Sequence, residues 1–366
     1  MKFSVVSLFS GGGGLDLGFK SNDFSLIWAS DIDKNAVETY KYNIGDHIHH
    51  ADINNYPIGQ IPHADVLIGG PPCQSFSLIG KRNVNDDRGK LVWKYLEILK
   101  HVNPYFFVFE NVTGILSAKD SDGKKVLDSL LEEFNELGYV VKWNVINAAD
   151  YGVPQRRKRV LVVGSKLGDF NFPSQTHSID GIILPKYVSV LEALGDLPIA
   201  TVNSKSQEYN QKPLNSYQKR IRGHAKIVTD HSIPTTSSLD EYIIQHVKPG
   251  GNYMDIPKDV ASVRIKRLQE QGGHTTCYGR LHPNEPAYTI NTYFNRPNVG
   301  CNIHYSYNRL ITVREALRLQ GFPDDYQIIS SSKQGKNLIV GNAVPPILSD
   351  VIARQIKKHL EANLCG

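Results

Sequence analysis

DVLIGGPPCQSFS, residues 65–77, joins an apolar run to a thiol across a glycine pair and a proline pair. Asp65 to Ile68 reads as a buried strand that ends at Gly69 and Gly70. Pro71 and Pro72 withhold two backbone donors and fix two φ angles, so the chain leaves the strand stiffly. Cys73 follows at once, with the small polar neighbours Gln74 and Ser75. A cysteine here is either a half-buried structural residue or a nucleophile. Stiff placement at the C-terminal end of a strand favours the nucleophile, because open α/β sheets carry their chemistry at that edge.

The rest of the composition sets bounds on that chemistry. A chain of 366 residues, 40% apolar and 21% charged, suits a large globular domain with a smaller companion. No run of 18 apolar residues occurs, so no membrane span is expected. The first ten residues have the pattern of a strand rather than of an export leader. Cys73, Cys277, Cys301 and Cys365 are far apart and lack metal-ligand spacing, so neither a metal site nor a disulfide framework is expected. A reducing cytoplasm fits that usage. The net charge of +5 is compatible with a polyanionic partner.

Toward the N-terminus, Phe3 to Phe9 reads as a buried strand running into Ser10, Gly11, Gly12, Gly13 and Gly14. Glycines between a strand and a helix permit a tight turn and close approach to a ligand at the helix N-terminus. The spacing is not the dinucleotide fingerprint, so nicotinamide cofactors are not indicated. A second strand, Phe24 to Ser30, delivers Asp31, suited to ribose hydroxyls, while Asp33 suits a helix N-cap. Asp52 and Ile53 repeat the arrangement after a weak third strand and could meet an adenine edge.

Toward the C-terminus, Gln74 to Gly89 reads as an exposed, mobile polar loop and Lys90 to His101 as a helix. The apolar strand Tyr105 to Phe109 delivers Glu110 at the edge where Cys73 stands, either as an ion-pair member or as a functional acid. A helix from Lys124 to Leu137 and strands Tyr139 to Asn147 and Val160 to Gly164 follow. Between those strands lie Arg156, Arg157, Lys158 and Arg159, a solvated face or an anion clamp. Residues 166–290 are rich in Ser, Thr, Asn, Gly and Pro, and Tyr187–Leu194, Leu239–Val247 and Val260–Leu268 read as ordered within them. Asn295, Arg296 and Asn308 are polar candidates for contact with a partner, with turn formation the favoured role for each asparagine. Thr312 to Glu315 forms a capping box opening a helix from Val313 to Gln320.

In this order, LFSGGGGLDLGF (8–19), DVLIGGPPCQSFS (65–77), FVFENV (107–112), YGVPQRRKRVLVVG (151–164), RLITVREALRLQGFPDDY (309–326) and GNAVPP (341–346) resemble the motifs of the DNA (cytosine-5) methyltransferases of bacterial restriction–modification systems. The resemblance implies an α/β fold: a Rossmann-like S-adenosylmethionine-dependent methyltransferase sheet with a smaller, irregular target-recognition domain. It divides the chain into a catalytic and cofactor-binding domain (1–177), a target-recognition domain (178–290) and a return segment completing the catalytic domain (291–366).

It implies S-adenosylmethionine at Phe9, Ser10, Gly11, Gly12, Gly13, Gly14, Leu15, Asp31, Ile32, Asp52, Ile53, Gly70, Pro72, Leu91, Asn342 and Ala343. Ile32 departs from the aromatic residue often found at its position. Cys73 would be the nucleophile, Glu110 would bind the target base, and Arg157 and Arg159 would contact base and active site. Gln74, Ser75 and Gln155 would lie near the flipped nucleotide or the DNA. The implied reaction methylates carbon 5 of a cytosine in a specific duplex word, protecting DNA from a cognate endonuclease. Double-stranded DNA is the expected partner and a monomer the expected state. A tRNA methyltransferase of the same fold is the nearest alternative, but its Cys-Phe-Thr signature occurs nowhere in the chain. A catalytically silent DNA-binding module would not need Cys73 and Glu110, and a thiol redox enzyme would need a C-x-x-C pair.

Overall fold

Apolar strands alternating with helices dominate the first half of the chain. The structure, a computed structural model, describes residues 2–72, 90–120 and 123–365. The strands are β1 (Ser4–Leu8), β2 (Ser25–Asp31), β3 (Ile48–His50), β4 (Val66–Gly69), β5 (Phe106–Asn111), β6 (Val140–Asn147), the two-residue β7 (Gln155–Arg156) and β8 (Lys158–Ser165). Helices α1 (Gly14–Ser21), α2 (Lys34–Asn43), α3 (Lys90–Val102) and α4 (Val126–Glu136) lie between them. All but β7 form one seven-stranded sheet, in the order β3-β2-β1-β4-β5-β8-β6.

The first five strands run parallel, while β8 is antiparallel to both β5 and β6. Every residue of β4 and β5 is buried, as expected of central parallel strands covered on both faces. Val92, Tyr95, Leu96 and Leu99 of α3 and Val126, Leu127, Leu130 and Phe134 of α4 share a core with Val6, Leu67, Phe107 and Val162 of the sheet. The order β2-β1-β4 makes β1/β4 a switch point, where the chain leaves in one direction and returns in the other. Ligands bind outside the carboxyl ends of the strands at such a point.

Two sequence boundaries move. The helix expected from Lys124 begins at Val126. The strand expected from Val160 begins at Lys158, which puts Arg159 inside a strand.

The chain divides into two compact units. The first comprises the described residues of Met1–Asn147, Lys158–Ser174 and Pro346–Gly366, and the second those of Ala148–Arg157 and Gln175–Pro345. In the first unit the closing helix, Pro346–Leu364, packs on α1: Ser349 Oγ donates to the Leu15 carbonyl, and Asn22 Nδ2 donates to Asp350 Oδ1 at 2.8 Å. The end of the chain therefore packs in the same unit as the sheet.

The second unit holds short elements: α5 (Val190–Leu194), α6 (Ser216–Arg222), α7 (Ser238–Ile244), α8 (Val263–Gln271), α9 (Val313–Leu319) and α10 (Lys333–Asn342). Its two-stranded pairings are β9 (Ser206–Glu208) with β10 (Ile227–Thr229), β11 (Gly279–Arg280) with β13 (Cys301–Ile303), and β12 (Ala287–Tyr288) with β7. The compact units group 291–345 with the middle region and the stretch from Pro346 with the sheet, whereas the motifs put the boundary near 290. Buried guanidinium groups give the physical reason. Arg318 donates to Asp324 Oδ1 at 2.9 Å and to the Ala193 carbonyl at 2.9 Å, and it pairs with Asp196. Arg314 donates to the carbonyls of Thr229 (3.0 Å) and Tyr326 (2.6 Å). A buried cation that loses such partners is strongly destabilising, so α9 is held where they are.

Candidate active site

In the first unit the carboxyl ends of β1, β2, β4 and β5 meet at one edge, and antiparallel β8 brings its N-terminal end there. Strand β5 ends in Glu110 and Asn111, both buried. Glu110 Oε1 accepts from Arg159 Nε at 2.8 Å, and both side chains are nearly enclosed. Gly70, just past β4, faces the same carboxyl: a Cβ there would lie 2.7 Å from Glu110 Oε2. The glycine leaves room for an acid. Asn111 Nδ2 donates to the Pro71 carbonyl at 3.0 Å, tying the proline pair to the end of β5. Pro72 is exposed beyond it. Cys73, Gln74, Ser75 and the rest of the expected loop to Gly89 lie outside the described residues.

A second group of residues fills the neighbouring corner. Phe9 leaves β1 with φ 54°, a strained value for a residue with a side chain. Ser10 donates from its backbone to Ser30 (3.1 Å) and from Oγ to Ser7 Oγ (2.9 Å). Gly13, with φ 86°, caps α1 in the left-handed region; a Cβ there would strike Ile44 and the Tyr40 ring. At Gly11 nothing lies within 4 Å of an added Cβ, so this part of the turn faces open space. Its N–H donates to Asp31 Oδ2 at 2.8 Å, and Asp33 N–H donates to Asp31 Oδ1 at 2.8 Å. Burial pushes the Asp31 carboxyl up, against those two N–H groups. Asp33 itself caps α2, as its spacing implied.

Next to Asp31, Ile32 is 67% exposed, an apolar surface available to a planar base. Asp52 accepts from Asn54 N–H at 3.0 Å and from Asn55 Nδ2 at 3.1 Å. The Ile53 and Leu15 side chains are buried, so what they could offer a ligand is backbone. Leu91 is half-buried on α3. An open glycine turn, a fixed carboxylate and an exposed aliphatic surface fit a nucleoside carrying a ribose diol.

In the second unit, by contrast, several expected contacts are already engaged. Arg157 is fully buried and donates to the carbonyls of Ile290 (2.9 Å) and Gly341 (2.8 Å). Gln155 donates to the Leu319 carbonyl (3.2 Å) and accepts from Ile290 N–H (3.0 Å). Both side chains act as internal struts. Arg156 pairs with Glu285 on the surface, while Lys158 is exposed. The four cations thus have separate tasks and do not make one anion clamp. Asn342, at the end of α10, is exposed, and Ala343 N–H donates to Val340.

Asp16 was not singled out by the sequence. It lies wholly buried in the first turn of α1 and accepts from Tyr40 OH at 2.9 Å. Burial pushes its carboxyl up to about 6, against hydrogen bonds from Ser7 and Tyr40. An acid on an otherwise apolar helix face was the available signal.

The family profile described as C-5 cytosine-specific DNA methylase matches residues 3–358. The Type II methyltransferase M.NgoFVII of Neisseria gonorrhoeae is 35% identical over 352 residues, covering 94% of this chain and 84% of the relative. M.MthTI of Methanothermobacter thermautotrophicus, also named a Type II methyltransferase, is 33% identical over 369 residues and 100% of both chains. Among solved structures, a candidate DNA modification methyltransferase from an E. coli prophage superposes with a TM-score of 0.75 at 24% identity, covering 98% of this chain and 100% of the other. At that identity it shows the shared fold alone.

Proposed function

We propose that this chain, which belongs to the C-5 cytosine-specific DNA methylase family, methylates a cytosine within one short word of duplex DNA through Cys73, with S-adenosylmethionine as methyl donor. The names of its relatives support a role as the modification enzyme of a Type II restriction–modification system. The observation that carries the reading is the enclosed pair of Glu110 and Arg159 opposite Gly70, at the strand edge that leads to Cys73.

Carbon 5 of cytosine is a poor nucleophile while the ring is aromatic. The Cys73 thiolate adds to carbon 6, forming a sulfur–carbon bond and sending ring electrons toward carbon 5. Glu110, oriented by Arg159, holds a proton at ring nitrogen 3, where negative charge would otherwise collect. When bound, S-adenosylmethionine supplies an electrophilic methyl group that carbon 5 takes up, leaving S-adenosylhomocysteine. Loss of the carbon 5 proton then breaks the bond to Cys73 and restores the ring. Attack on the face of the ring requires the cytosine to leave the base stack. The turn from Gly11 to Gly14 would hold the donor, with Asp31 on its ribose hydroxyls and Ile32 and Asp52 around its adenine.

Duplex DNA carrying 5-fluorocytosine in the target word tests the mechanism. Fluorine blocks the final proton loss, so the enzyme is expected to stay covalently attached through denaturing electrophoresis when S-adenosylmethionine is present. Cys73→Ala is expected to abolish the adduct. Trapping by the Cys73→Ala protein, or methylation of a nitrogen atom instead of carbon 5, would overturn the reading.

A further inference from the structure

Two loops of the second unit are joined at one corner. Gly272 and Gly273, with φ 73° and 83°, carry the chain out of α8 into His274, itself left-handed at φ 47°. This loop returns at Tyr278, whose N–H donates to the Pro297 carbonyl at 2.7 Å, and Pro297 belongs to the second loop. There Tyr293 N–H is fixed by Asn291 Oδ1 (2.7 Å), and Arg296 N–H by the Tyr293 carbonyl (2.9 Å). The Arg296 carbonyl accepts from buried Asn302 at 3.2 Å. The backbone under Arg296 is thus held on both sides.

Its side chain is placed differently from the buried arginines of this unit. Arg280, Arg314 and Arg318 are buried among carbonyls and carboxylates, whereas Arg296 is exposed. Its guanidinium lies 5.0 Å from the ring centroid of Tyr293, which is 49% exposed. It has no ion-pair partner among the described residues. A planar cation fixed over an aromatic ring has lost part of its rotamer entropy before any ligand arrives. Exposed Arg264 on α8 belongs to the same corner, since its neighbour Ile265 shares a buried core with Cys277 and Tyr278. Positive charge on a rigid, outward-facing surface complements a nucleic-acid duplex.

We propose that Arg296, stacked on Tyr293, reads a guanine of the recognised word from the major groove, and that Arg264 contacts a backbone phosphate. The guanidinium fork matches guanine O6 and N7, which an ammonium meets only as a point charge. The proposal rests on the DNA-methylating function above and assigns one of its specificity residues.

The test compares wild type, Arg296→Lys, Arg296→Ala and Arg264→Ala on a randomised duplex library with S-adenosylmethionine, read by bisulfite sequencing. Binding to the cognate duplex is measured alongside at several salt concentrations. Both Arg296 variants should relax selection at one base pair and lower kcat/KM on the cognate word roughly 10- to 100-fold. Arg264→Ala should weaken binding to all words alike and reduce the salt slope by about one. An Arg296→Lys protein with wild-type selectivity would make Arg296 a phosphate contact and overturn the assignment. Unchanged selection by Arg296→Ala would place base reading elsewhere while leaving the methylation reading intact. A wild type that methylates no DNA would remove both.

Discussion

At the scale of single residues, the site depends on side chains that are absent as well as present. Gly70 has an ordinary φ, so its role comes from space alone: Glu110 Oε2 occupies the volume a methyl group would take. Gly70→Ala must therefore move the carboxyl, and the enclosed Arg159 guanidinium limits where it can go. Misplacement of a catalytic group by about 1 Å costs on the order of 100-fold in rate. The expected outcome is a drop of about that size in single-turnover methylation, with S-adenosylmethionine affinity and the melting temperature nearly unchanged. A rate within about threefold of wild type would show that Glu110 does not need this position. The same scale shows what the sequence could not resolve. Arg157 and Arg159 both belong to one basic run, yet Arg159 reaches Glu110 while Arg157 is used up on two carbonyls. Telling them apart requires knowing that a strand starts at Lys158, and strand boundaries are the least legible feature of a sequence.

At the scale of elements, the sheet was legible because its signals agree: apolar runs of strand length, amphipathic helices between them, and glycines or prolines at the joints. Helix α9 was equally legible from its capping box, with Thr312 Oγ1 accepting from Glu315 N–H (3.1 Å) and Glu315 Oε2 accepting from Thr312 N–H (2.8 Å). Its partners were not, because they come from other elements. Arg309 grips Glu315 with two hydrogen bonds of 2.8 and 2.7 Å, and buried His304 lies 3.6 Å away. Although burial works to raise the Glu315 carboxyl, Arg309 holds it at about 2, below its ordinary 4.5. A depressed acid contributes stability that is complete above its unfolded value and is lost as pH falls through the folded one. Glu315 should therefore contribute on the order of 3 kcal/mol at neutral pH, lost between about pH 4.5 and pH 2. In Glu315→Gln, denaturant unfolding is expected to show lower stability at pH 7 and a flatter acid limb across that window. A variant whose acid limb parallels the wild type would remove Glu315 from the acid response.

At the scale of the molecule, motif order pointed to a sheet domain completed by the end of the chain, and the closing helix packs on α1. The division at residue 290 followed where motifs stop and resume, but packing follows buried partners. Arg318 lies in a recognisable motif, whereas Asp196 and the Ala193 carbonyl lie in the middle stretch outside the motifs, and no local pattern links them. This bears on how DNA specificity can be transferred. Replacing only 178–290 with a relative's sequence leaves Arg314 and Arg318 in place and removes Asp196, the Ala193 carbonyl and the Thr229 carbonyl together. Unless the donor supplies equivalent groups, two buried guanidinium ions lose partners, and loss of the Asp196 carboxylate from Arg318 alone costs about 3–5 kcal/mol. A graft of 175–345 carries both halves of the Arg314 and Arg318 pairs. The larger graft should melt near the wild-type temperature and methylate the donor's word, while the smaller should melt well below it or fail to fold. Calorimetry of the two chimeras, with bisulfite sequencing of plasmid exposed to each, makes the comparison. Equal stability of both would mean that the Arg318 network is not what holds the second unit together. An active larger chimera that kept the original word would put base reading outside 175–345 and so rule out Arg296 as a base reader.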